Sequence, residues 1–330
     1  MTEALRYLTE KDVVAALTIP RAIEALQRML VAQARDGARN VPKALATWGD
    51  GSSMHALGSV QPGGYAGFKT WVHTKAGGGS LFSLFDADTG LLRAVIEARA
   101  LGMLRTAAIS GVATRALAPE SATQAALIGT GPQAVTQLAA LAAVRPLQRV
   151  RIHSPTPEKR RAFVAAVAGK YAFAIEESPT LEHALAGAEI VTLITRAVEP
   201  FVDAAQLADC RHLNAVGAIL PAKAEFAQDV FERADRVVVD DLENARRGSR
   251  ELRERYGADG SPWDGVAVLG DLLARGETRA PDARLTLFKG MGMGLSDLAM
   301  ARVAYEHARD HGLGVALPPQ TRDNLLLAQP

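Results

Sequence analysis

The sequence predicts an α/β protein in two parts: a doubly wound parallel sheet in the second part, and an N-terminal α/β domain with a largely antiparallel sheet. Three observations carry this. From Ala125 onward, strand-like and helix-like segments alternate, as βαβ units of a parallel sheet do. Between Val41 and Ala98, β-prone stretches punctuated by glycine follow one another without helices between them, as hairpins do. The chain has 330 residues, which is room for two cores.

The elements follow in order. Residues 9–37 read as helices. Thr9 and Asp12 have the spacing of a capping box, Pro20 suits a first helical turn, Ile23, Leu26 and Leu30 recur at helical spacing, and Gly37 is a stop. In the antiparallel region, FKTWVHT and SLFSLFDA read as strands and Asp88-Thr89-Gly90 as a turn. Residues 98–117 form a small-residue helix that ends before Pro119. Then come strand AALIG, helix 132–144, strand RVRIH, helix 157–168, strand YAFAI, helix 179–186, and strands EIVTLIT, HLNAVG, RVVVD and LTLFK. Residues 296–311 make the last helix, and the tail after it is too short for a domain and is expected to pack on the first. The expected division is 1–118, completed by 302–330, against 119–301 for the parallel sheet.

Composition narrows the function. A formal net charge of +1 argues against a nucleic-acid or anionic-membrane partner. Cys210 is the only cysteine, which excludes an internal disulfide and a multi-cysteine metal site, and fits a reducing compartment. His73, His153 and His183 lack metal-ligand spacing. The first residues carry charges and no apolar core like that of a signal peptide, and no run is long enough to span a bilayer. The expectation is a cytoplasmic protein with no metal.

The chemistry starts at Gly129-Thr130-Gly131-Pro132-Gln133-Ala134, a G-x-G-x-x-A motif that follows an apolar strand and opens a helix. Gly129 allows the tight turn, Gly131 admits a pyrophosphate close to the backbone, and Ala134 lets helix and sheet approach. Phosphates then sit at the helix N-terminus, where free N–H groups and the helix dipole favour anions. In this strand–turn–helix context the motif reads as a Rossmann dinucleotide site. An NAD enzyme usually carries an acidic residue at the end of the second strand. Here Arg149 to Thr156 contain none; Ser154 and Thr156 can hydrogen-bond, and Lys159, Arg160 and Arg161 follow. That set favours NADP(H), with NAD(H) possible; the same cations would also serve as a solvated helix face.

The chain resembles the ornithine cyclodeaminase/mu-crystallin family, which includes archaeal-type alanine dehydrogenases and ketimine (pyrroline-2-carboxylate) reductases. The resemblance rests on Gly67-Phe68-Lys69, Arg105-Thr106-Ala107-Ala108, the Gly129–Ala134 loop, Asn214-Ala215-Val216-Gly217, and Phe288-Lys289-Gly290-Met291-Gly292 followed by Asp297. It implies an N-terminal dimerisation domain, a homodimer, and a small imino or amino acid as substrate. It makes Lys69 the catalytic residue, a cation and proton donor, and Arg105 a bidentate carboxylate clamp. By themselves, the two would read as a solvent-facing strand lysine and a structural ion pair. Lys43 stands where the family usually has another arginine; it keeps the charge and loses the fork. The resemblance also adds Thr106, Thr195, Asn214, Ala215, Val216, Gly217, Lys289 and Gly292 to the cofactor residues Gly129 to Gln133, Ser154, Thr156 and Lys159.

One departure selects among activities. Similar cyclodeaminases carry G-G-D-x-P-x-K-x-E after the NAVG-type strand; here Gly217 to Glu225 match the flanks, and Ile219 occupies the aspartate position. Isoleucine supplies no base for cyclodeamination. The reading is therefore an NAD(P)H-dependent reductase of small 2-imino acids. The alternatives are an ornithine cyclodeaminase or alanine-type dehydrogenase, and a non-catalytic binding protein of mu-crystallin type. Retention of Lys69 and Arg105 speaks against the last. Asp240-Asp241 ends a strand at the expected cleft edge and receives no role, and Tyr256, Trp263 and the charged stretch Arg246 to Arg255 read as a surface excursion.

Overall fold

The computed structural model describes residues 4–49, 51–257 and 263–321. In chain order the elements are β1 (Leu5–Leu8), α1 (Glu10–Ala16), α2 (Ile19–Arg35), β2 (Arg39–Asn40), β3 (Ala44–Trp48), β4 (Ser52–Val60), β5 (Tyr65–Thr74), β6 (Gly77–Asp86), β7 (Leu92–Glu97) and α3 (Arg99–Leu117). They continue with β8 (Gln124–Ile128), α4 (Ala134–Val144), β9 (Arg149–His153), α5 (Pro157–Val167), β10 (Ala174–Glu177), α6 (Leu181–Leu185), β11 (Ile190–Leu193) and β12 (His212–Ala215). The last are β13 (Ala234–Val239), α7 (Leu242–Gly248), α8 (Arg250–Tyr256), β14 (Val266–Val268), α9 (Leu269–Ala274), β15 (Leu285–Lys289), α10 (Gly294–His311) and β16 (Val315–Leu317).

The first sheet runs β16-β1-β7-β6-β5-β4-β2, with β3 on β4. Its β4–β7 meander is antiparallel, and β1 lies parallel to β7. The second sheet runs β10-β9-β8-β11-β12-β15-β13-β14, with every pair parallel. Strands β11, β12 and β15 are buried throughout, as parallel strands covered on both faces must be. Strand order reverses between β8 and β11, the switch point at which such sheets leave a crevice outside the strand C-termini.

Local sequence explains the helix starts. Thr9 and Asp12 form the capping box of α1, and Thr18 caps α2 with Pro20 in its first turn. Helix α3 is buried on nearly all sides because it packs between α2, α4 and α10 and touches β12. Its small residues permit this: a Cβ on Gly111 would lie 2.5 Å from the Ile23 side chain. Helix α10 packs on α2, α3, β4 and β5, and β16 pairs with β1. The tail beyond Thr321 lies outside the described residues.

Two expectations are corrected. The strand expected at 171–175 lies at Ala174–Glu177, and Tyr171 stacks on Phe173 just before it. The β-propensity of the two aromatics pulled the expectation toward the N-terminus. The stretch 246–255 is no surface excursion. It folds into α7 and α8, with Glu251 and Leu252 fully buried, and Trp263 is 3% exposed. Arginines on the outer face masked the inward positions. Among the described residues, no helix is long and apolar enough to cross a membrane.

Candidate active site and dinucleotide cleft

A cleft of about 2120 Å³ runs from the meander across the C-terminal ends of β8, β9 and β11. At the β8 end, Gly129 has φ +119°, and a Cβ there would lie 2.4 Å from the Ile194 carbonyl oxygen. The turn is tight because the backbone just after β11 occupies the space a side chain would need. Gly131 faces open space, and no side chain caps the start of α4. A tight glycine loop, open at Gly131 and next to an uncapped helix start, fits a dinucleotide pyrophosphate. Gly129→Ala is expected to weaken NADPH or NADH binding by about 10-fold or more, because a strained φ and a backbone clash cost at least ~1–3 kcal/mol. Titration by nucleotide fluorescence checks this, and unchanged affinity would remove the loop from the site.

Thr130, Gly131, Pro132, Gln133, Ser154, Thr156 and Lys159 all line the cleft, as do Thr106, Thr195, Val216, Gly217 and Gly292. The Thr130 hydroxyl donates to Ser154 Oγ at 3.0 Å, which joins the glycine loop to the end of β9. Arg160 is engaged elsewhere: it donates to the Ser154 carbonyl and to Glu177. Lys159 is exposed and lines the cleft wall. Glu225 organises the opposite wall. Fully buried, it accepts from the Thr195 N–H and hydroxyl and from the N–H groups of Gly217 and Ala218. A Cβ on Gly217 would lie 2.3 Å from both Glu225 Oε1 and Thr195 N, so the two loops close only over glycine.

Three expected cofactor residues lie behind the cleft instead. The Asn214 amide is fully buried, donates to Thr114 and Thr192, and accepts from His212. Ala215 is likewise buried. Lys289 is fully buried and donates to Glu251 at 3.0 Å. Strand alternation and the cover over the parallel sheet turn these side chains into the core, although their neighbours Val216 and Gly217 reach the cleft.

At the meander end the substrate candidates converge. Lys69 on β5 is 6% exposed and donates to Asp297 Oδ1 at 2.7 Å. Arg105 on α3 places Nε 3.6 Å from the same oxygen. The α10 carboxylate is fully buried, so one acid holds both cations at the cleft edge. Lys69 Nζ lies 5.0 Å and Lys43 Nζ 5.6 Å from the Trp71 ring centroid, within cation–π range. Trp71 also stacks on His55 at 4.5 Å. Burial lowers the Lys69 pKa below its usual value; Asp297 opposes the shift, and Arg105 and Lys43 add to it. Burial and the Arg105 charge lower the pKa of Lys43, while burial and Lys43 lower that of His55. Ile219 and Leu220 add apolar surface from the other wall.

Trp71 and His55 did not stand out as site residues in the sequence, where Asp297 stood only as part of the family pattern. A tryptophan next but one to a site lysine on a strand shares its face, which was the available signal. Among the described residues, no three His, Cys, Asp or Glu side chains are placed to hold a metal ion.

A glycine-loop cleft at the switch point, with a buried lysine and an arginine at its far end, defines a dinucleotide-dependent oxidoreductase. The family model for ornithine cyclodeaminase/mu-crystallin matches residues 65–312, and the chain belongs to that family. A Delta(1)-pyrroline-2-carboxylate reductase of Bacillus cereus is 33% identical over 234 residues, 70% of this chain and 71% of that protein. The iminosuccinate reductase of Paracoccus denitrificans, solved in complex with NAD+, superposes with a TM-score of 0.88 at 27% identity, covering 96% of this chain and 100% of that one. An archaeal alanine dehydrogenase dimer with bound NAD superposes with a TM-score of 0.87 at 26% identity, covering 95% and 99%.

Proposed function

We propose that the protein reduces small 2-imino acids of the ketimine or pyrroline-2-carboxylate kind with NAD(P)H. The observation that carries this is the convergence of Lys69 and Arg105 on Asp297 at the cleft edge. A dihydronicotinamide dinucleotide held by the Gly129–Gln133 loop would supply the hydride for the imine carbon. Arg105 grips the substrate carboxylate. Lys69 gives a proton to the nitrogen as the C=N electron pair moves onto it, and burial makes that proton easier to release. Asp297 holds Lys69 in place and keeps it charged until then. Ile219 offers no base beside the substrate, which favours reduction over cyclodeamination.

Dihydronucleotide oxidation with cyclic 2-imino acids, and with 2-oxo acids plus ammonia, tests the assignment. Turnover of an imine is expected, and L-ornithine with catalytic nucleotide is expected to yield no proline. Robust proline formation without imine reduction would replace this reading with cyclodeamination.

The cofactor reading favours NADP(H). Around the end of β9 the cleft is lined by His153, Ser154, Thr156 and Lys159, with no carboxylate among them. NADPH is expected to bind more tightly than NADH. The reverse order in a fluorescence titration would overturn the preference.

An apolar face of the meander supports a homodimer. Residues Met54, Phe68, Val72 and Leu81 share one face of β4–β6 by register and alternation, and each is 38–52% exposed. The outer face of such a sheet is normally polar, so an apolar one marks an interface. Light scattering is expected to report about twice the 34.9 kDa chain mass, and a monomer would refute the dimer.

A further inference from the structure

Asp240 directly follows β13, and the proposed chemistry makes no use of it. Its carboxylate is fully buried. It accepts from Met291 N at 2.9 Å and Gly292 N at 2.7 Å, and from the N–H of Asp241 at 2.9 Å. The Asn244 side chain donates to the Gly292 carbonyl at 2.9 Å. The turn between β15 and α10 is therefore tied to the β13 end through both polar groups of one peptide residue.

That turn backs the guanidinium. Gly292 has φ +83°, and a Cβ on it would lie 2.5 Å from Arg105 Nη1. Arg105 has little else to define its position: Nε is buried without a hydrogen bond, and its ion pair with Asp297 spans 3.6 Å. A five-donor fork grips a carboxylate bidentately only when its plane is fixed. Burial pushes the Asp240 carboxyl up to about 6, and Arg105 is among the groups that pull it back down. The Arg105 charge therefore reaches the Asp240 carboxylate.

We infer that Asp240 is a positioning residue for the substrate-carboxylate clamp, acting on Arg105 through the Met291–Gly292 turn. Asp240 touches neither substrate nor cofactor. It sets the backbone surface against which the guanidinium rests and adds a second negative charge behind it. The clamp is then assembled across both sheets, with Arg105 from α3 and its backing from the β13–β15 edge. This inference rests on Arg105 binding the substrate carboxylate, as proposed above.

The test compares Asp240→Asn and Arg105→Ala with the parent enzyme, on Δ1-pyrroline-2-carboxylate and on Δ1-pyrroline, the same ring without the carboxylate. For Asp240→Asn, KM for the carboxylate substrate is expected to rise about 10-fold with kcat within about 3-fold, while the rate on Δ1-pyrroline stays unchanged. Combined with Arg105→Ala, it should add almost nothing, because both changes act on one interaction. Binding of pyrrole-2-carboxylate to the NADP+ complex, read by calorimetry, should follow the same pattern without turnover. If Arg105→Ala leaves carboxylate binding unchanged, the clamp reading itself fails. If Arg105→Ala weakens binding and Asp240→Asn does not, or if Asp240→Asn slows both substrates equally, the positioning role fails. Should Asp240→Asn not fold, Asn244→Ala loosens the same turn and is expected to raise the carboxylate KM in the same selective way; an unselective loss would reject the inference.

Discussion

Lys69→Ala is expected to lower kcat by about 100-fold or more at saturating imino acid, the usual contribution of a positioned general acid. Its Nζ is buried against Asp297 at 2.7 Å and sits at the cleft edge, so no solvent donor takes its place with the same geometry. Arg105→Ala is expected to act differently. The guanidinium serves as a clamp, so its loss should appear chiefly in KM, with kcat/KM reduced by ~2–5 kcal/mol of transition-state stabilisation, and part of the rate should return at high substrate. Nucleotide affinity should survive in both variants, because the Gly129–Gln133 loop belongs to the other sheet. The pH profile adds a check. The protonated lysine is the donor, and burial lowers its pKa below 10.5, so kcat should fall as pH rises through that lowered value. A Lys69→Ala enzyme with near-normal kcat and KM would take Lys69 out of the chemistry.

Lys289→Met is expected to destabilise the fold by about 3–5 kcal/mol without a matching loss of nucleotide affinity. Lys289 and Glu251 are both fully buried and lie 3.0 Å apart. The same carboxylate accepts from Glu225 N and from the Ser249 hydroxyl. Removing the ammonium strands a charge in the core beneath the cleft wall. Thermal unfolding should shift downward by roughly 5–15 °C, given a few degrees per kcal/mol for a chain of this size. Adding Glu251→Gln should recover part of the loss, since a neutral amide costs less to bury than an unpaired carboxylate. Unchanged stability with weakened nucleotide binding would return Lys289 to the cofactor site.

These two lysines show where the sequence informs and where it does not. The glycine loop was legible because its signal is local: strand, turn and helix are contiguous, and Gly129 has φ +119°. The Thr9–Asp12 capping box and Pro20 were legible for the same reason. The parallel sheet followed from alternation, and the family pattern placed Lys69 and Arg105 in one site. Neither source could orient side chains on strands covered from both faces. Lys289 stands three residues from the cleft residue Gly292 and nonetheless points into the core.

By itself, then, the sequence determined what rests on short-range geometry: the two kinds of sheet, the dinucleotide loop, and the absence of a base at Ile219. Tertiary structure decided what depends on distant partners. Asp297 meets Lys69 across 228 residues, and Asp240 holds Gly292 across 52. The physical reason is that a buried charge takes its role from whichever opposite charge or N–H the packing brings within about 3 Å. Propensity and periodicity carry no record of that choice, because they act over a few residues and the partner arrives only when the two sheets close on each other.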